Sequence, residues 1–266
     1  MIAPKKKRSN PLKIGTIMKK EYISKIAWSK IFSFLKEQKN LYTKTEKSCK
    51  IFVEGIFWIA RTGAQWRELP EEYGNWNTVF KRFNDWSKKH LWEDFLNFCA
   101  KDSDLEYVMI DATIVRAHAC SAGYDSFKNQ ELGRSKGGHS TKIHASVDAL
   151  GNPLKFVITP GQRNDITQAD VLLKDISESY IIADKGYDST ELRSKLIEQN
   201  CIPVISPRSN RKEQYSYDEH LYKERHAIEC LFSKIKHFRR VFSRFDKSAR
   251  NFLSFLSFVG ACIWLR

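Results

Sequence analysis

One stretch of the sequence, Tyr222–Arg240, spaces its reactive side chains at helical intervals. Read as a single helix at about 100° per residue, it places four of them within an arc of roughly 60°: Tyr222, Arg225, Glu229 and Lys236. A neighbouring arc is apolar and is predicted to face the core: Leu221, Ile228, Leu231, Ile235, Phe238 and Phe242. One carboxylate flanked by cations and a phenol suits a metal ion and phosphate, although a solvated face with salt bridges is the ordinary alternative.

Two aspartates upstream end short apolar runs. Asp111 closes EYVMID and Asp184 closes YIIAD, and both runs are typical of central strands. A carboxylate beside a buried strand is costly unless a partner compensates it. Together with Glu229, the two aspartates therefore suggest a shared divalent cation. Because oxygen ligands without histidine or cysteine favour hard ions, the sequence predicts Mg²⁺ or Mn²⁺ rather than zinc.

Five stretches of the chain resemble a known protein family. They are TGAQWRELPEEYGNWNTVFKRFNDW (Thr62–Trp86), MIDATIVRAH (Met109–His118), GRSKGGHSTKIHASVDALGNP (Gly133–Pro153), ADKGYDS (Ala183–Ser189) and the signature of Tyr222–Lys236. In this order they resemble the DDE transposases of bacterial insertion sequences, in the insertion-sequence-five family. The resemblance runs from about Lys19 to the end of the chain, with no departure at the acidic triad or at the Y-R-E-K positions.

The resemblance implies an enzyme, a DNA nuclease and strand transferase that binds transposon ends, cleaves DNA and joins the 3′-hydroxyl to target DNA. It implies two Mg²⁺ (or Mn²⁺) ions, and the catalytic residues and metal ligands would be Asp111, Asp184 and Glu229. The residues that hold the backbone of the transposon end would be Tyr222, Arg225 and Lys236, whose charge and donors suit phosphate. The expected partners are end DNA and target DNA, with a homodimer or larger assembly in the DNA complex. The expected location is the bacterial cytoplasm, at the nucleoid.

A second basic cluster is a further candidate for DNA binding, and it comprises Arg134, Lys136 and Lys142. Gly137 and Gly138 would let the backbone approach phosphate there, but they would equally serve a simple turn. Two other functions stay open. One is an inactive transposase relic that only occupies the DNA ends. The other is a structure-specific nuclease of the same fold, which would cut strands without joining them.

Composition agrees with a nucleic-acid partner. The 266 residues carry a net charge of +14 and 13% aromatics, which indicates an anionic partner, although many basic proteins merely have solvated surfaces. The six cysteines are scattered without a C-x-x-C pair, which favours a reduced compartment over a disulfide framework or a zinc site. We expect no signal peptide or membrane span, because the longest apolar run, Phe252–Leu265, is short and interrupted.

The first part of the chain is predicted to be helical. Residues 1–17, which include APKKKRSN, are interpreted as a disordered basic tail, and helical periodicity begins at Met18. Apolar residues then recur at helical spacing at Ile23, Ile26, Ala27, Ile31 and Phe34. After a break at Thr62-Gly63, a further helix begins near Asn75. Residues 18–104 are therefore predicted to form a small all-α, helix-turn-helix-like domain, and the resemblance assigns DNA-end binding to it.

Residues 105–266 are predicted to form a mixed α/β domain. The expected strands are Leu105–Ile110, Lys142–Asp148, Leu154–Thr159, Tyr180–Ala183 and Ile202–Ser206, and helices are expected at Asp165–Ile176 and Thr190–Gln199. This order resembles a ribonuclease-H-like fold, so the fold class is α/β with a mixed five-stranded sheet and flanking helices. In that fold the first and fourth strands are neighbours, which would bring Asp111 and Asp184 together. Three other aspartates are given local roles: Asp148 in a hairpin, Asp165 as a helix cap and Asp188 at a helix start.

Overall fold

The computed structural model describes residues 22–39, 41, 45–121, 130–135, 138–212 and 214–266. The predicted tail (1–17) and Lys136 lie outside these residues. The helices are α1 (Lys25–Glu37), α2 (Glu46–Thr62), α3 (Trp76–Lys88), α4 (Leu91–Cys99), α5 (Ala169–Leu172), α6 (Thr190–Glu198), α7 (Glu219–Tyr222), α8 (His226–Lys236), α9 (Arg239–Phe242) and α10 (Ala249–Trp264). The strands are β1 (Tyr107–Ala117), β2 (Gly133–Ser135), β3 (Gly138–Val147), β4 (Pro153–Pro160), β5 (Tyr180–Ala183), β6 (Ile202–Ile205) and β7 (Ser243–Arg244).

Local capping signals set the ends of the N-terminal helices. At the start of α2, the Thr45 hydroxyl accepts the N–H of Ser48 at 3.2 Å, and the helix ends where Gly63 adopts a left-handed φ of +68°. The side chain of Asn75 accepts two N–H groups at the start of α3. The predicted break and restart are thus confirmed. Ile26 does not face the core as its place in the apolar pattern indicated. It is 77% exposed, whereas Ala27, Ile31 and Phe34 of the same pattern are buried.

Among the described residues, seven strands form one mixed sheet in the order β2-β3-β1-β5-β6, with β4 also paired to β3 and β7 to β1. β1 runs antiparallel to β3 and parallel to β5. The first and fourth predicted strands are therefore neighbours, as expected. All five predicted strands form. The short strands β2 and β7 are additional, because two or three residues are too few to show a periodic pattern.

β1 is longer than the sequence predicts. We expected the strand to end at Ile110 with Asp111 closing the run, but it continues to Ala117. Its parallel ladder with β5 stops at the pair of Ile110 and Ala183, whereas its antiparallel ladder with β3 continues. Asp111 therefore lies within β1 at the point where the parallel neighbour ends. Asp184 follows directly after Ala183, so both aspartates lie at the end of the segment over which β1 and β5 are paired.

One hydrophobic core joins the N-terminal helices to the sheet through α10. Phe83 of α3 stacks on Phe255 of α10 with ring centroids 4.4 Å apart, and Trp92 of α4 meets Phe258 at 5.1 Å. A second core forms where β1, β5 and β6 pack against α5 and α6. Packed side chains thus cross the boundary predicted at Asp104, and the separate roles of residues 18–104 and 105–266 stay predictions. No helix in the described ranges has the length and apolarity needed to cross a membrane.

The signature stretch is continuously helical only as far as His237. α7, a 3₁₀ turn over Lys223–Arg225 and α8 run on continuously, because Tyr222 to His226 keep right-handed helical backbone angles. The chain then leaves the helix at Phe238, whose backbone is extended with ψ of 109°. The prediction of a single helix to Arg240 is therefore wrong beyond α8. Phe242, which we expected in the core, is 62% exposed because it lies after this break.

Candidate active site

One guanidinium joins two of the three predicted catalytic carboxylates. Arg225 donates from Nη1 to Asp111 Oδ2 at 3.0 Å and from Nη2 to Glu229 Oε1. The second contact follows from sequence spacing, because residues four apart lie on one face of a helix. The first contact joins the 3₁₀ turn before α8 to the middle of β1. Two carboxylates that lie 118 positions apart in the chain, counted from Asp111 to Glu229, thus share one positive charge.

Asp184 lies beside this pair at the end of β5. Its Oδ1 accepts the N–H of Gly186 at 2.8 Å and caps the 3₁₀ turn Lys185–Tyr187. A Cβ on residue 186 would lie 2.8 Å from that same oxygen, so glycine leaves the space that the carboxylate occupies. The parallel pairing of β1 with β5 ends one residue before Asp111 and one before Asp184. The strand pairing therefore sets the two aspartates next to each other.

Burial makes Asp111 a poor place for an unpaired negative charge. Burial raises the pKa of Asp111 to about 6, against the lowering effects of the Ala112 N–H and of Arg225. The negative charges of Asp184 and Asp165 raise it further. A cation next to Asp111 is therefore strongly favoured once the carboxyl group ionises.

Lys236 reaches β1 from the far end of α8. Its Nζ donates to the hydroxyl of Thr113 at 2.7 Å, and burial lowers the pKa of Lys236. Thr113 lies two residues after Asp111, so both side chains leave β1 on the same face. α8 and the 3₁₀ turn before it thus lie across β1, attached through Arg225 at one end and Lys236 at the other to nearby positions of one strand.

Tyr222 completes the group of signature residues. Its ring meets that of Tyr217 edge to face, with centroids 5.4 Å apart. Burial raises the pKa of the Tyr222 phenol, the positive charge of Arg225 opposes this rise, and the negative charge of Asp184 adds to it. The structure therefore brings the four signature residues to the part of β1 that carries Asp111 and to the end of β5 that carries Asp184: Tyr222, Arg225, Glu229 and Lys236.

The second basic cluster reaches the site through one contact, because the Asp165 that pairs with Lys142 also acts on the charge of Asp111. Arg134 is exposed on β2. Lys142 on β3 pairs with Asp165 at 2.8 Å and donates to the backbone oxygen of Arg163 at 2.7 Å. Lys136 lies outside the described residues. The DNA-binding role of this cluster stays a prediction.

The three aspartates that were given local roles have different outcomes. Asp148 shapes the hairpin as predicted, because its Oδ1 accepts the N–H groups of Leu150 and Asn152. The helix cap predicted for Asp165 is wrong, since its carboxylate pairs with Lys142 on β3 and the turn that it begins has no side-chain cap. Asp188 does not start α6 either. Ser189 caps that helix, and Asp188 is buried among arginines.

The sequence reasoning missed some neighbours of the site. Thr113 could have been found from the alternation of side chains along β1, which puts it on the face of Asp111. Asp165 had no such signal, because its position depends on the pairing of β3 with β1. In the described part of the chain, no three histidine, cysteine, aspartate or glutamate side chains lie close enough to hold a metal ion as they stand. The charge between Asp111 and Glu229 is supplied by Arg225.

Two protein families match this chain. Residues 23–96 match a family described as "Putative transposase of IS4/5 family", and residues 102–264 match one described as "Transposase DDE domain". The second match covers well over half of the chain and contains Asp111, Asp184 and Glu229. The two matches together span both the helical region and the mixed sheet.

The chain is also similar to individual proteins that are named transposases. The chain is 40% identical over 129 residues to a protein of Brucella ovis named "Putative transposase for insertion sequence element IS6501", covering 48% of this chain and 99% of that protein. It is 30% identical over 135 residues to the corresponding protein for element IS402 of Burkholderia cepacia, covering 46% of this chain and 61% of that one. Among solved structures, the piggyBac transposase synaptic complex with hairpin DNA is similar with a TM-score of 0.54 and 12% identity, over 90% of this chain and 70% of that one. This likeness shows a ribonuclease-H-like transposase fold.

Proposed function

This chain belongs to the DDE transposases of the IS4/IS5 family, and we propose that it binds the ends of its insertion sequence, cleaves the DNA there and joins the freed 3′-hydroxyl to target DNA. The observation that carries the proposal is the Arg225 guanidinium, which joins Asp111 on β1 to Glu229 on α8. Asp184 follows the strand beside Asp111. Three carboxylates from separate elements thus lie around Arg225 and the end of β5 in a chain that matches a transposase DDE domain.

We propose that Asp111, Asp184 and Glu229 hold two Mg²⁺ or Mn²⁺ ions. The residues fit such ions, because a cationic group already lies between two of the carboxylates and because the pKa of buried Asp111 is raised to about 6 without a stronger cation. All the donors are carboxylate oxygens, which hard divalent ions prefer. When bound, such ions supply Lewis-acid activation of the attacking oxygen and stabilise the leaving oxygen of an in-line displacement.

The cationic side chains around the carboxylates would hold the DNA backbone. Arg225 has two kinds of anionic partner available, the carboxylates that it binds in the free protein and a phosphate of the transposon end. Its planar fork suits bidentate contact with phosphate, and we propose that it turns to the DNA when an end is bound. Lys236 and Tyr222 would fix the same strand, Lys236 as a point charge and Tyr222 through its hydroxyl.

The helical region, predicted as residues 18–104, is proposed to recognise the ends. The chain has a net charge of +14, which favours long DNA contacts and predicts strong salt dependence of binding. We propose a homodimer or larger assembly in the DNA complex, because two ends must be brought together for joining. The relatives named above are bacterial proteins, so the proposed place of action is the nucleoid of a bacterium.

A strand-transfer assay tests the proposal. Labelled duplexes that carry the inverted repeats flanking the gene are incubated with the protein, plasmid target and Mg²⁺, and products are separated by size. We expect cleaved ends and joined products, and neither with Glu229→Gln. A shift of the duplex without cleavage would favour the inactive relic. Cleavage without joined products would favour the nuclease. Either result would contradict the proposal.

A further inference from the structure

Asp188 is a buried carboxylate that the proposed chemistry does not use. Its side chain is 0% exposed, and its Oδ1 lies 3.1 Å from Arg193 Nε and 3.1 Å from Arg211 Nη1. Its Oδ2 accepts the backbone N–H of Arg208 at 2.9 Å. Burial alone would raise the pKa of Asp188, but these donors outweigh it and hold the pKa below its ordinary value. Asp188 thus ties α6 to the basic loop, which we define as residues 206–218.

The ring of Tyr215 makes a second set of contacts between the basic loop and α6. The guanidinium carbons of Arg193 and Arg211 each lie 4.5 Å from the centroid of the Tyr215 ring, which is within cation–π distance. Arg193 also donates to the backbone oxygen of Ile205 at 2.8 Å, at the end of β6. Because Arg193 belongs to α6 and Tyr215 to the loop, these contacts hold the loop against the α/β core.

The fastened loop carries Arg208 to the turn that follows β5. Arg208 donates from Nε to the oxygen of Lys185 and from Nη2 to the oxygen of Gly186, each at 3.1 Å. The oxygen of Lys185 and the N–H of Gly186 belong to one planar peptide unit. That N–H is the group that donates to Asp184 Oδ1 at 2.8 Å. A single rigid unit therefore binds Arg208 on one side and the Asp184 carboxylate on the other.

We propose that Arg208, held in place by Asp188, is a positioning residue for Asp184. By fixing the peptide unit between Lys185 and Gly186, it fixes the direction of the Asp184 carboxylate, and donation to the peptide oxygen strengthens the N–H that the carboxylate accepts. The inference rests on the proposed function, since orientation matters because Asp184 is proposed to bind metal. Partners that orient metal ligands commonly change metal affinity by about 10- to 100-fold.

The test compares two variants of the full-length chain, Arg208→Gln and the control Lys195→Gln. Arg208→Gln leaves the loop attached, because Asp188 binds the backbone N–H of Arg208 and not its side chain. Lys195 lies on neighbouring α6, and its exposed ammonium pairs with Asp170 and Glu191 away from the turn. Mn²⁺ affinity is measured by the electron paramagnetic resonance signal of free Mn²⁺, and melting temperature is measured alongside it.

We expect Arg208→Gln to bind Mn²⁺ about 10-fold more weakly than the wild-type chain, with Lys195→Gln unchanged and both variants melting alike. In an Asp184→Asn background, Arg208→Gln should cause no further loss, because both changes act through the same carboxylate.

Three results would overturn the inference, and they differ in meaning. If the wild-type chain binds no Mn²⁺, the proposed function fails and the positioning role fails with it. If the wild-type chain binds Mn²⁺ and Arg208→Gln binds it equally well, only the positioning role fails. The same holds if the 10-fold loss persists in the Asp184→Asn background, because Arg208 would then act on another group.

Discussion

Replacing Asp111 by asparagine should stabilise the metal-free protein at neutral pH more than in acid. Burial raises the pKa of Asp111 from its ordinary value of 3.8 to about 6; the Ala112 N–H and Arg225 oppose this, and the charges of Asp184 and Asp165 add to it. A group whose pKa is higher in the folded state favours folding below its unfolded pKa. That contribution is lost as the pH rises through the folded pKa. Asparagine does not ionise, so the variant avoids this loss.

The size of the effect follows from the pKa. A rise from 3.8 to about 6 corresponds to about 3 kcal/mol in the free energy of unfolding, of which about 2 kcal/mol falls between pH 4.5 and 7.5. The side chain of Asp111 is only 17% exposed, so solvent screens it little. At about 2–4 °C per kcal/mol, the melting temperature of Asp111→Asn minus that of the wild type should rise by about 4–8 °C across this range.

Thermal unfolding followed by circular dichroism in EDTA measures this difference at several pH values. The control is Asp170→Asn, since Asp170 is a carboxylate whose side chain is 65% exposed and pairs with Lys195 at the surface. We expect its difference from the wild type to stay within about 0.5 kcal/mol at every pH. If the Asp111→Asn difference is flat with pH, or falls as pH rises, the burial argument for Asp111 is refuted.

Three further predictions concern DNA. Asp111→Ala, Asp184→Ala and Glu229→Ala should each abolish end cleavage while gel-shift binding persists, because such ligands act as a unit; near-wild-type cleavage in one of them would remove that residue from the site. Cleavage should require Mg²⁺ or Mn²⁺, with Ca²⁺ allowing binding without chemistry, and full activity in excess EDTA would refute the metal mechanism. Lys236→Ala should weaken end binding and reduce the slope of log binding constant against log salt concentration by about one unit, as the loss of one phosphate contact would, with little change in melting temperature. An unchanged salt dependence would mean that Lys236 serves only its contact with Thr113.

Strands with a continuous apolar sequence could be predicted closely. β5 forms over Tyr180–Ala183, the same residues that the sequence indicated, because a short apolar run between polar residues has few alternatives. β1 was harder, since its outer half, after Asp111, is held by the ladder with β3. That ladder joins residues distant in sequence, and nothing local in the sequence reports it. The acidic triad was predicted from residue type and its role stays a prediction, whereas the predicted end of β1 was wrong.

The contacts among the candidate site residues were harder to predict from the sequence than the residues themselves. The spacing of Arg225 and Glu229 indicates one helix face, but the contact of Arg225 with Asp111 depends on how α8 lies across β1. The helix period also failed at Phe238, where the chain turns although its apolar pattern continues into α9. The buried contacts of Asp188 could not be predicted either, because its arginine partners come from α6 and from the basic loop.

The central claim is that Asp111, Asp184 and Glu229 form one divalent-metal centre, and iron-directed cleavage of the protein tests it most directly. Fe²⁺ replaces Mg²⁺ in the full-length chain, ascorbate and peroxide generate hydroxyl radicals at the bound ion, and the backbone cuts are mapped by mass spectrometry. We predict cuts close to residues 111, 184 and 229 together, suppressed by excess Mg²⁺ and lost in Asp111→Asn. Cuts at only one of these positions, or cuts that excess Mg²⁺ leaves unchanged, would contradict the account.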